Sequence, residues 1–127
     1  MLKRSAPEPG ETREAVQRVR AWIDDPDMQP LPSRAELALA VRLTARTLEH
    51  VAPGHSVEVR VPPFVAVQCI AGPRHTRGTP PNVVEMRPEI WLRLAAGAVT
   101  FEQALSDGHI EASGTRANEI SHWLPLV

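Results

Sequence analysis

The chain of 127 residues has no tyrosine, one cysteine, one lysine and only five aromatic side chains, three Trp and two Phe. Each shortage excludes something. A lone Cys69 can form neither an internal disulfide nor a cysteine-based zinc knuckle. No run of about 18 apolar residues is present to span a bilayer as a helix, and the N-terminal stretch with Lys3 and Arg4 lacks the apolar core of a secretory signal. Basic charge is not in excess: 14 Lys and Arg stand against 15 Asp and Glu, net −1, which argues against a general nucleic-acid binder. The five histidines, His50, His55, His75, His109 and His122, show no helical i, i+4 pair of the kind that holds zinc. The expectation is a cytoplasmic protein with no metal, no cofactor and no stable membrane anchor.

What abounds is proline and arginine, 13 of each. Arginine over lysine with much alanine looks like the usage of a GC-rich genome, so the proline total has a mutational component. The length suits one domain, able to bury roughly two-thirds of its unfolded surface. Residues 1–10 are polar and proline-bearing and read as a disordered leader. From Glu11 to Asp24, Ala15, Val16, Val19, Trp22 and Ile23 recur near helical spacing. Asp25-Pro26 stops that helix, and a proline-rich connection runs to residue 32. Ser33 and Glu36 have the spacing of a capping box for a second helix to about His50. Leu37, Val41, Thr44, Ala45 and Leu48 share its main apolar face, and Leu39 and Leu43 form a narrower stripe. Packing of Trp22 on that stripe is the expected use of the first helix, a partner surface being the alternative.

Then the period falls to two. Val57, Val59 and Val61 alternate with Glu58 and Arg60 as a half-buried strand. Pro62-Pro63 marks a bend, and Phe64 to Ile70 is dense enough to predict a more fully buried strand. Residues 71–81 read as loop and Asn82–Met86 as a third strand. Pro88 opens a short helix that Gly97 closes. Thr100 and Gln103 predict a second capping box for a helix ending near Asp107-Gly108. A last strand is expected over His109–Ser113, and a final helix capped by Thr115 carries Ile120, Trp123 and Leu124. Strands followed by helices favour an α+β fold with a small mixed or antiparallel sheet of about four to five strands.

From Ser33 onward this order resembles the sterol carrier protein type 2 fold. The tail PEIWLRLAAGAVTFEQALSDGHIEASGTRANEISHW, Pro88 to Trp123, is similar to that family's short helix, Gly, short helix and strand, with Gly97, Ala104, Gly108 and Gly114 at positions that expect small residues. More specifically, VEVRVPPFVAVQCIAGPRHTRGTPPNVVE, Val57 to Glu85, resembles the actinobacterial proteins grouped as bacterial orthologues of sterol carrier protein. The domain organisation expected is a leader (1–10), an N-terminal helix with its connection (11–32) and a sterol-carrier-like domain (33–127). The resemblance implies an apolar tunnel under the C-terminal helix. Met86, Ile90, Leu94, Phe101, Leu105, Ile120, Trp123, Leu124 and Leu126 fall in the region that lines it, and the same side chains would otherwise close-pack as an ordinary core.

A second candidate comes from charge. No acidic residue stands between Glu58 and Glu85, where Arg60, Arg74 and Arg77 add three positive charges. Arg74, His75 and Arg77, flanked by Gly72 and Gly78, could hold a carboxylate or phosphate, or form a stiff loop without a ligand. Cys69 lies within an apolar strand and reads as buried and unreactive. An enzyme built on the His75–Arg77 loop finds no carboxylate pair or activated nucleophile to support it. The reading is a non-catalytic carrier for an apolar or acyl-chain molecule with an anionic head near Arg74, His75 and Arg77. The alternative is a protein-interaction or regulatory module, including a homodimer, with a closed core and no lipid.

Overall fold

The computed structural model describes residues 5–72 and 82–127. Helix α1 spans Pro9–Asp24, two residues earlier than the expected Glu11. Its start is set by Glu8, whose carboxylate accepts the N–H of Gly10 (3.0 Å) and of Glu11 (2.8 Å), and by Pro9, which gives up no needed donor in the first turn. These two bonds hold the Glu8 carboxyl below the usual carboxylate range, with Arg13 adding a smaller pull. Ala15, Val16, Val19, Trp22 and Ile23 are buried, as their spacing predicted.

Helix α2, Arg34–Val51, carries both halves of the expected capping box: Ser33 Oγ accepts Glu36 N–H, and the Glu36 carboxylate accepts Ser33 N–H. Ala40, Val41, Thr44, Ala45 and Leu48 are wholly inaccessible to solvent. The helix packs on α1, on the sheet and on the helix that follows the sheet. The narrower stripe is only half used: Leu43 packs against the core, whereas Leu39 remains 38% exposed. Small residues at 40 and 45 take the close-packed positions instead.

Four strands form one mixed sheet: β1, Val57–Val61; β2, Val65–Cys69; β3, Asn82–Met86; and β4, Ile110–Ser113. Their spatial order is β2-β1-β3-β4. β1 pairs antiparallel with β2 and parallel with β3, and β3 pairs antiparallel with β4. The architecture is α+β, as expected. The relative burial of β1 and β2 is not. β1 alternates buried and half-buried, whereas β2 leaves Val65 half-buried and Ala66 exposed. β2 is the edge strand and β1 is central, and apolar density alone does not report that placement.

Helix α3, Pro88–Ala95, begins with its proline in the first turn and ends at Gly97, whose φ of +76° suits glycine. Helix α4, Phe101–Ser106, is capped by Thr100 Oγ1, which accepts Gln103 N–H (3.1 Å). Only this half of the predicted box forms, because the Gln103 amide donates forward to Asp107 (2.9 Å). The expected final α-helix is instead a 3-10 helix over Ala117–Trp123 with Arg116, not Thr115, at its N-cap and no side-chain cap. The Arg116 N–H, one of the donors left without a partner inside the helix, is satisfied by Asn82 Oδ1 (2.8 Å), and the helix gives way to extended backbone at Leu124, before Pro125.

Candidate functional site

The sheet has two unlike faces. Alternation along β1 and β3 turns Val57, Val59, Val61, Val84 and Met86 toward the helices, where all are buried. α3 adds Ile90 and Leu94, α4 adds Phe101, and the 3-10 helix adds Ile120. These side chains belong to one continuous apolar cluster, against which Leu105, Trp123, Leu124 and Leu126 pack while remaining partly exposed. Every apolar residue expected to line the tunnel therefore belongs to this core cluster or packs against it. Five of them, Met86, Ile90, Leu94, Phe101 and Ile120, are buried, and the partly exposed ones come from α4 and the C-terminal segment.

One polar link crosses this interior. Trp91 is fully buried, and its indole N–H donates to Thr44 Oγ1 (2.8 Å). The Thr44 hydroxyl in turn donates to the Ala40 carbonyl oxygen (2.7 Å). The link ties α3 to α2 and fixes the helix that carries Ile90 and Leu94.

Arg74, His75 and Arg77 lie outside the described residues. The chain on either side of them is described, and it converges on one point. Asn82, buried at the start of β3, donates to the Ser56 carbonyl oxygen (2.8 Å) and accepts Arg116 N–H. The Arg116 guanidinium donates to the Ala71 carbonyl oxygen (2.9 Å) and to both carboxylate oxygens of Glu119 (2.8 and 3.0 Å). That ion pair raises the Arg116 pKa and lowers that of Glu119. Gly72 sits so close that a side chain there would run into Arg116 and Ser56. Beside it, Ile70 has a φ of +69°, a strained conformation for a β-branched residue. It is held by hydrogen bonds from Ser56 N–H and Ser56 Oγ–H to its carbonyl and from its own N–H to Ala52. None of Ser56, Asn82, Arg116 and Glu119 was singled out from the sequence. Arg116 and Glu119 have the i,i+3 spacing of a helical ion pair, but Ser56, Asn82 and Arg116 are far apart in the chain and no local pattern joins them.

The outer face of the sheet is polar. A groove of about 450 Å³ there is lined by Arg60, Val83, Glu85, Glu111, Ala112 and Ser113. Glu85 stands directly across from Glu111, and Arg60 is engaged by Glu58. A second cavity, about 330 Å³, lies at the end of the helical layer between the start of α1, Thr47 of α2 and the C-terminal residues.

Cys69 is fully buried, and desolvation, with a smaller contribution from Glu49, pushes its thiol up to about 12. It stays protonated and is no nucleophile at neutral pH. His55 Nδ1 is hydrogen-bonded to Gln68 Oε1 (2.9 Å), and His122 lies against Trp123. Among the described residues no three His, Cys, Asp or Glu side chains converge as metal ligands, and no helix is long and apolar enough to cross a membrane.

Among known families, the model described as bacterial SCP ortholog matches residues 33–126. The match takes in everything from the α2 cap to the penultimate residue and leaves out α1. No curated protein matches the chain.

Proposed function

The chain belongs to the bacterial orthologues of sterol carrier protein, and from that membership we propose that it is a non-catalytic binding or carrier protein for an apolar, acyl-type molecule, working in the cytoplasm. The family match over 33–126 is the observation that carries this reading. In support, Met86, Ile90, Leu94, Phe101, Leu105, Ile120, Trp123 and Leu124 gather in one apolar neighbourhood. They form the walls, and Leu105, Trp123 and Leu124, partly exposed, stand where a ligand enters. Arg74, His75 and Arg77 meet the anionic head. Burial of alkyl surface supplies affinity at about 0.8 kcal/mol per CH₂, and the basic side chains orient the ligand.

The test is native mass spectrometry of the purified protein, then delipidation and titration with a long-chain fatty acid while Trp fluorescence is followed. Stoichiometric uptake that is lost on Leu124→Asp, in a variant that still unfolds cooperatively, is expected. Absence of saturable uptake refutes the carrier reading.

A second reading has its own support. The near-complete burial of Met86, Ile90, Leu94, Phe101 and Ile120 equally suits a closed core, which would make the protein an interaction or regulatory module and, in one form, a homodimer. Light scattering on the wild type and on Arg74→Ala/Arg77→Ala separates the two. A change of oligomeric state without a change in lipid uptake favours the module.

A further inference from the structure

The cavity at the end of the helical layer is built from parts that the family match does not join. Pro7, just before α1, and Pro9, Thr12 and Arg13 at its start lie outside the matched residues; Thr47 comes from α2, and Leu126 and Val127 from the C-terminal segment. Its walls are fixed. The N–H groups of Leu126 and Val127 both donate to the Ala95 carbonyl oxygen (2.8 and 3.1 Å) at the end of α3. α1 is pinned by its buried face of Val16, Val19, Trp22 and Ile23. At about 330 Å³ the cavity is at the small end of ligand sites.

The chemistry of the lining narrows the occupant. The side chains of the two prolines, Leu126 and Val127 are pure hydrocarbon. The Thr12 hydroxyl is spent on the Glu8 carbonyl oxygen (3.3 Å) and the Thr47 hydroxyl on that of Leu43 (2.8 Å). Of the three arginines on α1, Arg18 is paired with Glu14 and Arg20 with Asp24, while Arg13 has no ion pair among the described residues. Glu8, whose charge Arg13 attracts without a direct contact, has both carboxylate oxygens committed to backbone N–H groups. Apolar walls with one guanidinium that makes no direct ion pair suit a ligand with an apolar body and one anionic oxygen pair.

We infer that this cavity is a binding site for a small apolar carboxylate, its alkyl end against Pro7, Pro9, Leu126 and Val127 and its carboxylate on Arg13. The site is distinct from the core residues of the carrier reading and does not depend on that reading. Helix α1 thereby gains a role, because it supplies the cation and half of the walls.

The test uses the full-length chain labelled with ¹⁵N and titrated with octanoate and, separately, with octanol. Saturable amide shifts at Thr12, Arg13, Thr47 and Leu126 are expected with octanoate. Arg13→Ala should weaken octanoate about fivefold and leave octanol unchanged, and Arg13→Lys should restore part of the loss. Thr47→Trp, which fills the cavity, should abolish the shifts while the buried Trp91 indole resonance reports that the fold is kept. Shifts confined to Met86, Ile90 and Leu94 would overturn this site while supporting the carrier reading. Equal affinity for octanol and octanoate, indifferent to Arg13→Ala, would overturn the assignment of a carboxylate, and an absence of saturable shifts at the cavity would overturn the site itself.

Discussion

Replacing Thr44 with valine tests whether the α2–α3 link is a structural determinant. Valine matches threonine in shape, so the change removes one hydroxyl from a wholly buried position. The Trp91 N–H, 2.8 Å from Thr44 Oγ1, is then a buried donor with no acceptor, a loss of about 1–3 kcal/mol. The Ala40 carbonyl, which also receives that hydroxyl, keeps its helical bond and adds little. The methyl that replaces the hydroxyl returns part of the loss as apolar burial. A net destabilisation of about 1.5 kcal/mol follows, equivalent to a fall in melting temperature of about 5 °C for a chain of this length. Urea unfolding followed by Trp fluorescence measures it. The attribution is checked by a double-mutant cycle with Trp91→Phe, because phenylalanine has no N–H to orphan. Thr44→Val introduced into the Trp91→Phe variant should then lose less than about 0.5 kcal/mol. A full loss in that variant, or a loss below about 0.3 kcal/mol in the wild type, would refute the reasoning.

Two further outcomes follow from the backbone and the caps. Gly54 has a φ of +147°, and a side chain there would run into the Ile70 carbonyl, so Gly54→Ala should destabilise by about 2 kcal/mol or more, read as a lower urea midpoint; an unchanged midpoint would contradict the strained contact. Because the folded Glu8 pKa is depressed chiefly by its bonds from Gly10 and Glu11 N–H, its contribution is complete above the ordinary carboxylate pKa of about 4.3 and is lost as pH falls through the lower folded value. Amide exchange at Gly10 and Glu11 should therefore rise relative to the middle of α1 only below about pH 4, and a rise already under way at pH 6 would contradict the cap.

Much of the helical layer was legible because its signals are local. Ser33 and Glu36 specify a cap within one turn, Pro88 and Gly97 punctuate α3, and the spacing of Val16, Val19 and Ile23 identifies the inner face of α1. The strand positions Val57, Val59 and Val61 were equally plain. The apolar residues proposed as ligand walls could be named because apolar side chains at those positions are turned inward whether they line a cavity or fill a core. The resemblance carried by the tail from Pro88 to Trp123 did the rest, and the family match over 33–126 agrees with it.

The failures share a cause. β2 looked more buried than β1 because its sequence is denser in apolar residues, yet edge or centre is decided by which strand pairs with β3. Thr115 has the residue type of an N-cap, yet the cap position falls to Arg116, whose N–H is held by Asn82, more than thirty residues earlier. Leu39 lies on an apolar stripe of α2 and is still 38% exposed, whereas Leu43 of the same stripe packs against the core.

By itself the sequence determined the order of the elements, the Ser33 and Thr100 caps, most of the inward-facing side chains and the family, since each rests on hydrogen bonds or periodicities that span a few residues, or on a contiguous motif. The tertiary structure alone decided the strand order, the convergence of Ser56, Asn82 and Arg116, and the meeting of Arg13 with Leu126 and Val127 at one cavity. Those are contacts between segments tens of residues apart. They come into being only when the apolar faces close on one another, and no local pattern encodes the partner in advance.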